Sequence, residues 1–200
     1  MTAPSLILAS ASVARAAILA RAGVIAATDP AAIDEAEIKA ELRREGASAA
    51  DCAAVLAEMK AMRVAARHAG ALVIGADQML DCGGTWLDKP RDLADARRQL
   101  SLLRGRPHEL PTAIAVVCDG VALWQALERP RLVMRDVSDR FLNDYVAAAG
   151  EEILDAVGAY QIEGRGAQLF ERIEGDFFSI LGLPLLPLLD FLRGHGVVMA

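Results

Sequence analysis

Apolar and polar positions alternate along this chain in short blocks of two kinds. Leu6-Ile7-Leu8-Ala9 is a brief apolar run that stops at Ser10, and Ser12 to Ala22 continues at helical spacing up to Gly23, a usual helix-terminating residue. The pattern predicts a strand followed at once by a helix. A charged helix begins at Asp34-Glu35 and runs to about Glu45, after a loop through Thr28-Asp29-Pro30. Ser48-Ala49-Ala50-Asp51 resembles a capping box with the shorter acid and opens a long Ala-rich helix to about His68. On it Val55, Met59 and Met62 share helical spacing and read as core filler. Ala71-Leu72-Val73-Ile74-Gly75-Ala76 is continuously apolar, the mark of a strand buried on both faces, with Asp77 at its carboxyl end.

Further along, Gly83-Gly84 makes a turn and Asp92 starts a helix ending near Gly105. Strand-like runs follow at 109–118, 121–127 and 131–137, the first two joined by Asp119-Gly120, a strong hairpin signal. Ser138 caps a helix to about Ala148, and short strands are expected near Tyr160 and Leu169. Pro184 begins a final helix that Gly194 ends. Helices interleaved with strands, plus a central hairpin, predict an α/β fold with a mixed, twisted sheet flanked by helices. Two hundred residues without repeats or a low-complexity linker suit one domain, residues 1–200, large enough to bury a substantial core.

Composition narrows the function classes. A formal charge of −6 argues against a nucleic-acid surface, so an anionic ligand would need a local basic cluster and help from a divalent cation. Cys52, Cys82 and Cys118 are widely spaced and form no C-x-x-C pair, which fits reduced thiols rather than disulfides or zinc. His68, His108 and His195 form no H-x-x-x-H pair and read as surface or helix-end residues. No apolar run is long enough to span a bilayer, and the N-terminus lacks a signal-peptide pattern. A soluble cytoplasmic protein with no membrane or nucleic-acid partner is therefore expected, and its size is compatible with a homodimer.

Candidate chemistry gathers at element ends. Ser10, Ser12 and Arg15 stand at the first strand–helix turn, where unpaired helix N–H groups favour an anion and an Arg fork suits phosphate. Asp34-Glu35 follows a loop, Asp77 ends a buried strand, Lys60 lies in the long helix, and Lys89-Pro90 ends a turn. Acids that hold a hard cation, beside bases that neutralise phosphate oxygens, suit phosphoryl chemistry. Each residue also has an ordinary alternative: Ser12 an N-cap, Arg15 a surface charge, Asp77 a turn residue, Glu35 a first-turn acid, Lys60 and Lys89 solvated. Spacing alone does not choose between them. Neither a Walker P-loop nor a G-x-G-x-x-G run is present, which removes support for the common kinase, GTPase and dinucleotide readings.

Taken together in order, these segments resemble the Maf-type nucleoside triphosphate pyrophosphatases over most of the chain. The opening S-x-S-P-x-R stands as Ser10-Ala11-Ser12-Val13-Ala14-Arg15, the D-E pair as Asp34-Glu35, and L-A-x-x-K-A as Leu56 to Ala61. The buried G-A-D is Gly75-Ala76-Asp77, the G-K-P turn is Asp88-Lys89-Pro90, and the G-x-x-H run is Gly105 to His108. The late A-G-A-Y-x-I-x-G segment is Val157 to Gly164, followed by Glu171 to Asp176 and Gly182-Leu183-Pro184. The resemblance implies two lobes with an active-site cleft, as in the Maf and ITPase-like folds. It implies hydrolysis of the α–β bond of a nucleoside triphosphate, giving monophosphate and pyrophosphate with Mg²⁺ or Mn²⁺. Carried onto this chain, the catalytic residues would be Asp77, which activates water, with Glu35, which joins it in holding the metal, and Lys89, which stabilises charge as pyrophosphate departs; Ser10, Ser12, Arg15 and Lys60 would bind the triphosphate.

Departures from the pattern bear on the base. The branch resembling dTTP/UTP pyrophosphatases carries Arg, Thr and Gln where this chain has Ala14, Gln78 and Glu163, and the last two resemble the 7-methyl-GTP branch. A carboxylate accepts two hydrogen bonds and matches the adjacent N1–H and N2–H donors of guanine, whereas uracil and thymine offer one N–H between two carbonyls. A solvated loop acid is the alternative for Glu163. Val13 in place of the motif's Pro loosens only the helix start. The resemblance also leaves room for a dTTP/UTP-preferring enzyme, or for a nucleotide-binding regulator of septum formation with little turnover.

Overall fold

The computed structural model describes residues 4–199. Ten strands occur among them: β1 Leu6–Leu8, β2 Ala27–Thr28, β3 Leu72–Gln78, β4 Leu80–Cys82, β5 Thr85–Leu87, β6 Pro107–Glu109, β7 Thr112–Cys118, β8 Val121–Glu128, β9 Arg131–Met134 and β10 Phe170–Glu174. The helices are α1 Val13–Arg21, α2 Glu35–Arg44, α3 Ala49–Ala65, α4 Leu93–Leu103, α5 Asp139–Ala149, α6 Phe177–Ile180 and α7 Leu185–Gly194. They divide into two compact units. One comprises the described residues up to Gln78, Thr112–Glu128 and those from Asp176 on; the other is Met79–Pro111 with Arg129–Gly175.

The first unit is built on a five-stranded mixed sheet of order β2-β1-β3-β7-β8. β1 runs parallel to β2 and β3, and β7 pairs antiparallel with β3 and β8. Alternation on β3 settles what each residue faces. Leu72, Ile74 and Ala76 join Leu6, Leu8, Ile18 and Leu19 in a core completed by Leu185, Leu188 and Leu192 of α7. Val73 joins Ile7, Ala61, Val64 and Ala65 in the core on the α3 side. Gly75 lies between Val73 and Asp77 on that second face. A Cβ there would stand 2.0 Å from the Ala57 carbonyl oxygen and 2.7 Å from the Ala61 nitrogen, so only glycine lets α3 lie this close.

The second unit carries an antiparallel sheet of order β10-β9-β6-β4-β5, with α4, α5 and three 3-10 segments at 150–155, 157–159 and 165–169. The mixed α/β class is as expected, with strands distributed over two sheets. The run 109–118 is not one strand: β6 and β7 belong to different sheets, and the break falls at Leu110-Pro111, where proline supplies no N–H for a ladder.

Helix starts follow the sequence closely. Ser48 and Asp51 form the capping box on α3, with bonds of 3.1 and 3.0 Å, and Ser138 caps α5. The hairpin at Asp119-Gly120 has both residues at positive φ, 48° and 76°, as a type I′ turn needs. Three expectations are corrected. The segment before Tyr160 is a turn over 157–159 instead of a strand: Gly158 and Ala159 take positive φ, 78° and 61°, which breaks a regular ladder. The core stripe of α3 is Cys52, Leu56, Lys60 and Val64, not the Val55-Met59-Met62 row; Met59 is 40% exposed. His108 is 2% exposed, a core residue rather than a surface one.

Candidate active site

Asp77 stands one residue before the end of β3, and the same alternation that faces Val73 and Gly75 toward α3 aims its carboxylate at that helix. Lys60, in the helical turn that packs on Gly75, meets it: Lys60 Nζ donates to Asp77 Oδ1 at 2.6 Å. The same ammonium lies 2.7 Å from Glu35 Oε1. Asp77 and Lys60 are 4% and 7% exposed, so this is a buried ion pair with a half-exposed second carboxylate. Asp77 Oδ2 is buried and has no hydrogen-bond partner among the described residues.

Burial sets the protonation behaviour of the pair. Loss of water around Asp77 holds its carboxyl above the usual range, against the opposing charges of Lys60 and Arg15. For Glu35, burial would also raise the value, but the Lys60 hydrogen bond and charge, with Lys39 and Arg15 beyond, bring it below the ordinary glutamate range. The Arg15 guanidinium is itself lowered by burial, with Asp77 and Glu35 acting in the other direction.

The two members of the D-E pair have different roles in the fold. Asp34 caps α2, its Oδ1 accepting from Glu37 N at 3.0 Å, while Glu35 begins the helix and reaches Lys60. At the β1–α1 turn, Ser12 is indeed an N-cap, accepting from Arg15 N at 3.3 Å. Ser10 Oγ accepts from Ser12 N and from Arg15 Nη1, each at 3.2 Å. Arg15 is not a surface charge. Its Nε donates to Gly182 O at 2.7 Å and its Nη1 to Ala76 O at 2.8 Å, so it ties the Gly182-Leu183-Pro184 turn to the residue beside Asp77. Nη2 has no hydrogen-bond partner among the described residues.

The structure thus brings Ser10, Ser12, Arg15, Glu35, Lys60 and Asp77 onto one unit. Gln78, on the opposite face of β3 from Asp77, donates through Nε2 to Thr112 Oγ1, Ser179 O and Ile180 O at 2.8, 2.9 and 3.1 Å. Its amide nitrogen is therefore engaged in anchoring the end of α6. Ala14 is exposed on α1. Lys89 and Glu163 belong to the second unit, both exposed and without a hydrogen bond or ion pair among the described residues.

One residue that sequence reasoning missed supports the Glu163 segment. His108 on β6 meets Tyr160 Oη through Nε2 at 2.7 Å, inside a cluster with Phe170. Burial lowers His108 to about 4 and leaves it neutral near pH 7. Tyr145 reaches the Ala159 carbonyl at 3.3 Å and closes the same turn. The G-x-x-H and A-Y motifs held the signal, but only their pairing shows that they act together.

A family model described as Maf-like protein matches residues 5–195. The chain belongs to this family. Among curated relatives, a nucleoside triphosphate pyrophosphatase of Rhodospirillum rubrum is 54% identical over 197 residues, 98% of each chain. One of the same description from Paramagnetospirillum magneticum is 53% identical over 94% of this chain and 97% of its own. A 7-methyl-GTP pyrophosphatase of Rhizobium meliloti is 48% identical over 98% of this chain and 99% of its own. In this Maf-like protein Lys60 lies within hydrogen-bonding distance of both Glu35 and Asp77. No helix among the described residues is long and apolar enough to cross a membrane.

Proposed function

We propose that this protein hydrolyses the α–β phosphate bond of a nucleoside triphosphate, releasing monophosphate and pyrophosphate. The observation that carries the reading is the buried Asp77 carboxylate with one oxygen bound to Lys60 and the other unpaired. A base needs an atom that can take a proton and is not already committed, and Asp77 Oδ2 is that atom. Water would add to phosphorus, the anhydride bond would break with its electron pair leaving on pyrophosphate, and Oδ2 would take the water's proton. The burial that raises the proton affinity of Asp77 brings it toward the range useful to a general base.

The donor set fits a divalent metal. Glu35 and Asp77 supply two carboxylates, and among the described residues no third His, Cys, Asp or Glu joins them. Mg²⁺ or Mn²⁺ is commonly held by one or two carboxylates, with phosphate oxygens and water filling the shell. Such a cation would supply charge neutralisation at the phosphate oxygens. Ser10 and Ser12 hydroxyls, the free Nη2 edge of Arg15, and Lys60 and Lys89 would bind the triphosphate.

For the base, the reading favours 7-methyl-GTP or another modified guanine nucleotide. Its support is Glu163, an acceptor-only side chain on a segment fixed by His108 and Tyr160, together with the description borne by relatives at 46–48% identity. A panel of 7-methyl-GTP, GTP, dTTP, UTP and CTP with Mn²⁺ tests it by pyrophosphate release. Preference for 7-methyl-GTP is expected. Preference for dTTP or UTP would keep the reaction and remove the role of Glu163, and binding without turnover would favour a nucleotide-dependent regulator.

A further inference from the structure

The Lys60 ammonium lies 2.6 Å from Asp77 Oδ1 and 2.7 Å from Glu35 Oε1, and so fills the gap between the two carboxylates assigned to the metal. A cation bridging two carboxylates from this position competes with any other cation for the same oxygens. Its stem is part of the buried stripe of α3, which keeps the head group in place, and Arg15 adds a second positive charge near both acids. The nucleotide-free protein therefore has its own counter-ion. Of the buried oxygens there, Asp77 Oδ2 is without a partner among the described residues, and a single carboxylate oxygen beside an ammonium is a poor site for a hard divalent ion.

We propose that Lys60 is a built-in counter-cation that keeps the Glu35–Asp77 pair closed to divalent metal until a triphosphate draws the ammonium away. Polyphosphate oxygens offer Lys60 a new anionic partner, and its departure frees Asp77 Oδ1 and Glu35 Oε1. Lys60 thereby makes loading of the acids conditional on substrate, as a positioning residue for charge in addition to its contact with the phosphates. This inference rests on the pyrophosphatase reading for its purpose.

The test is Mn²⁺ titration of the nucleotide-free protein, read by the electron paramagnetic resonance signal of free Mn²⁺ and by calorimetry. Wild type should bind Mn²⁺ weakly. Lys60→Met should bind one ion more tightly by on the order of tenfold or more, because a unit charge has left the immediate neighbourhood of both acids. Lys60→Arg should stay weak, and adding Glu35→Gln to Lys60→Met should cancel the gain. Lys60→Gln, which can still donate to one carboxylate, carries the same expectation should the Met variant fail to fold. Equal Mn²⁺ affinity in wild type and the neutral variants would overturn the proposal, as would a gain that survives Glu35→Gln. No nucleotide enters this experiment, so absent turnover in a pyrophosphate assay would count against the enzymatic reading and not against the behaviour of Lys60.

Discussion

Two buried polar constellations, one in each unit, solve the problem of polar groups in a core in opposite ways. Around Asp77 the groups are ionic: an ammonium joins two carboxylates, and one carboxylate oxygen is left unpaired. Around His108 they are neutral: an imidazole and a phenol share one hydrogen bond, packed against Phe170. The neutral pair carries no charge to exchange with a ligand, although His108 Nδ1 is buried without a hydrogen-bond partner among the described residues. An ionic cluster with an uncommitted oxygen can exchange its partners for those of a ligand. On the proposed reading, the partly unsatisfied charge is the site of chemistry and the neutral pair supports the segment that carries Glu163.

The contrast predicts where damage should fall. Glu35→Gln removes charge from the ionic cluster at a half-exposed helix start, so pyrophosphate release should fall by about 10²–10³. Thermal unfolding should barely change. A large stability loss with intact turnover would make Glu35 structural. His108 should show the reverse signature. Its value of about 4 lies below the ordinary 6.5, so the unfolded chain binds more protons between these pH values. Stability should therefore decline as pH falls from 6.5 toward 4, by ~3 kcal/mol in total. Denaturant midpoints measured across this range should flatten in His108→Gln; parallel curves for variant and wild type would contradict the assignment.

Gly75→Ala sharpens the comparison by moving the scaffold instead of the charges. The added methyl meets α3 backbone, and overpacking of this kind costs about 1–3 kcal/mol, readable in urea unfolding. Because the shift separates Lys60 from Asp77, turnover should fall with it. Glu163→Gln is the mildest change expected, since Glu163 is exposed. Stability should hold while the kcat/KM preference for 7-methyl-GTP over UTP drops on the order of tenfold. An unchanged ratio would remove Glu163 from base recognition.

Much of the ionic site was legible before the structure, because its parts sit at element ends that leave local signals. The β1–α1 turn, the Ser48 capping box, the apolar run of β3 and the Asp119-Gly120 hairpin all declare themselves within a few residues. What was not legible depends on contacts between distant segments. The two-residue β2 has no periodicity to read, and β4 and β5 flank Gly83-Gly84 with only three residues each. The face of α3 is decided by where Gly75 lets the helix approach, which put Lys60 inside and Met59 outside. Arg15, read as a surface charge or a phosphate ligand, is first a clamp on two carbonyls, since its partners are 61 and 167 residues away. The Tyr160 turn defeats pattern reading because Ala159 takes a left-handed conformation that costs roughly 1–2 kcal/mol.

Asp77 carries the central claim, and its variant Asp77→Asn keeps the shape of the side chain while removing the basic oxygen. Pyrophosphate release from 7-methyl-GTP with Mn²⁺, measured for both proteins after their folding is checked by circular dichroism, is the most direct test. Wild type should form one pyrophosphate per monophosphate, with an acid limb of kcat/KM above the ordinary carboxylate value of 3.8 because burial raises Asp77. The Asn variant should lose about 10²–10⁴ of the rate. Turnover by a folded Asp77→Asn protein at the wild-type rate would contradict the account.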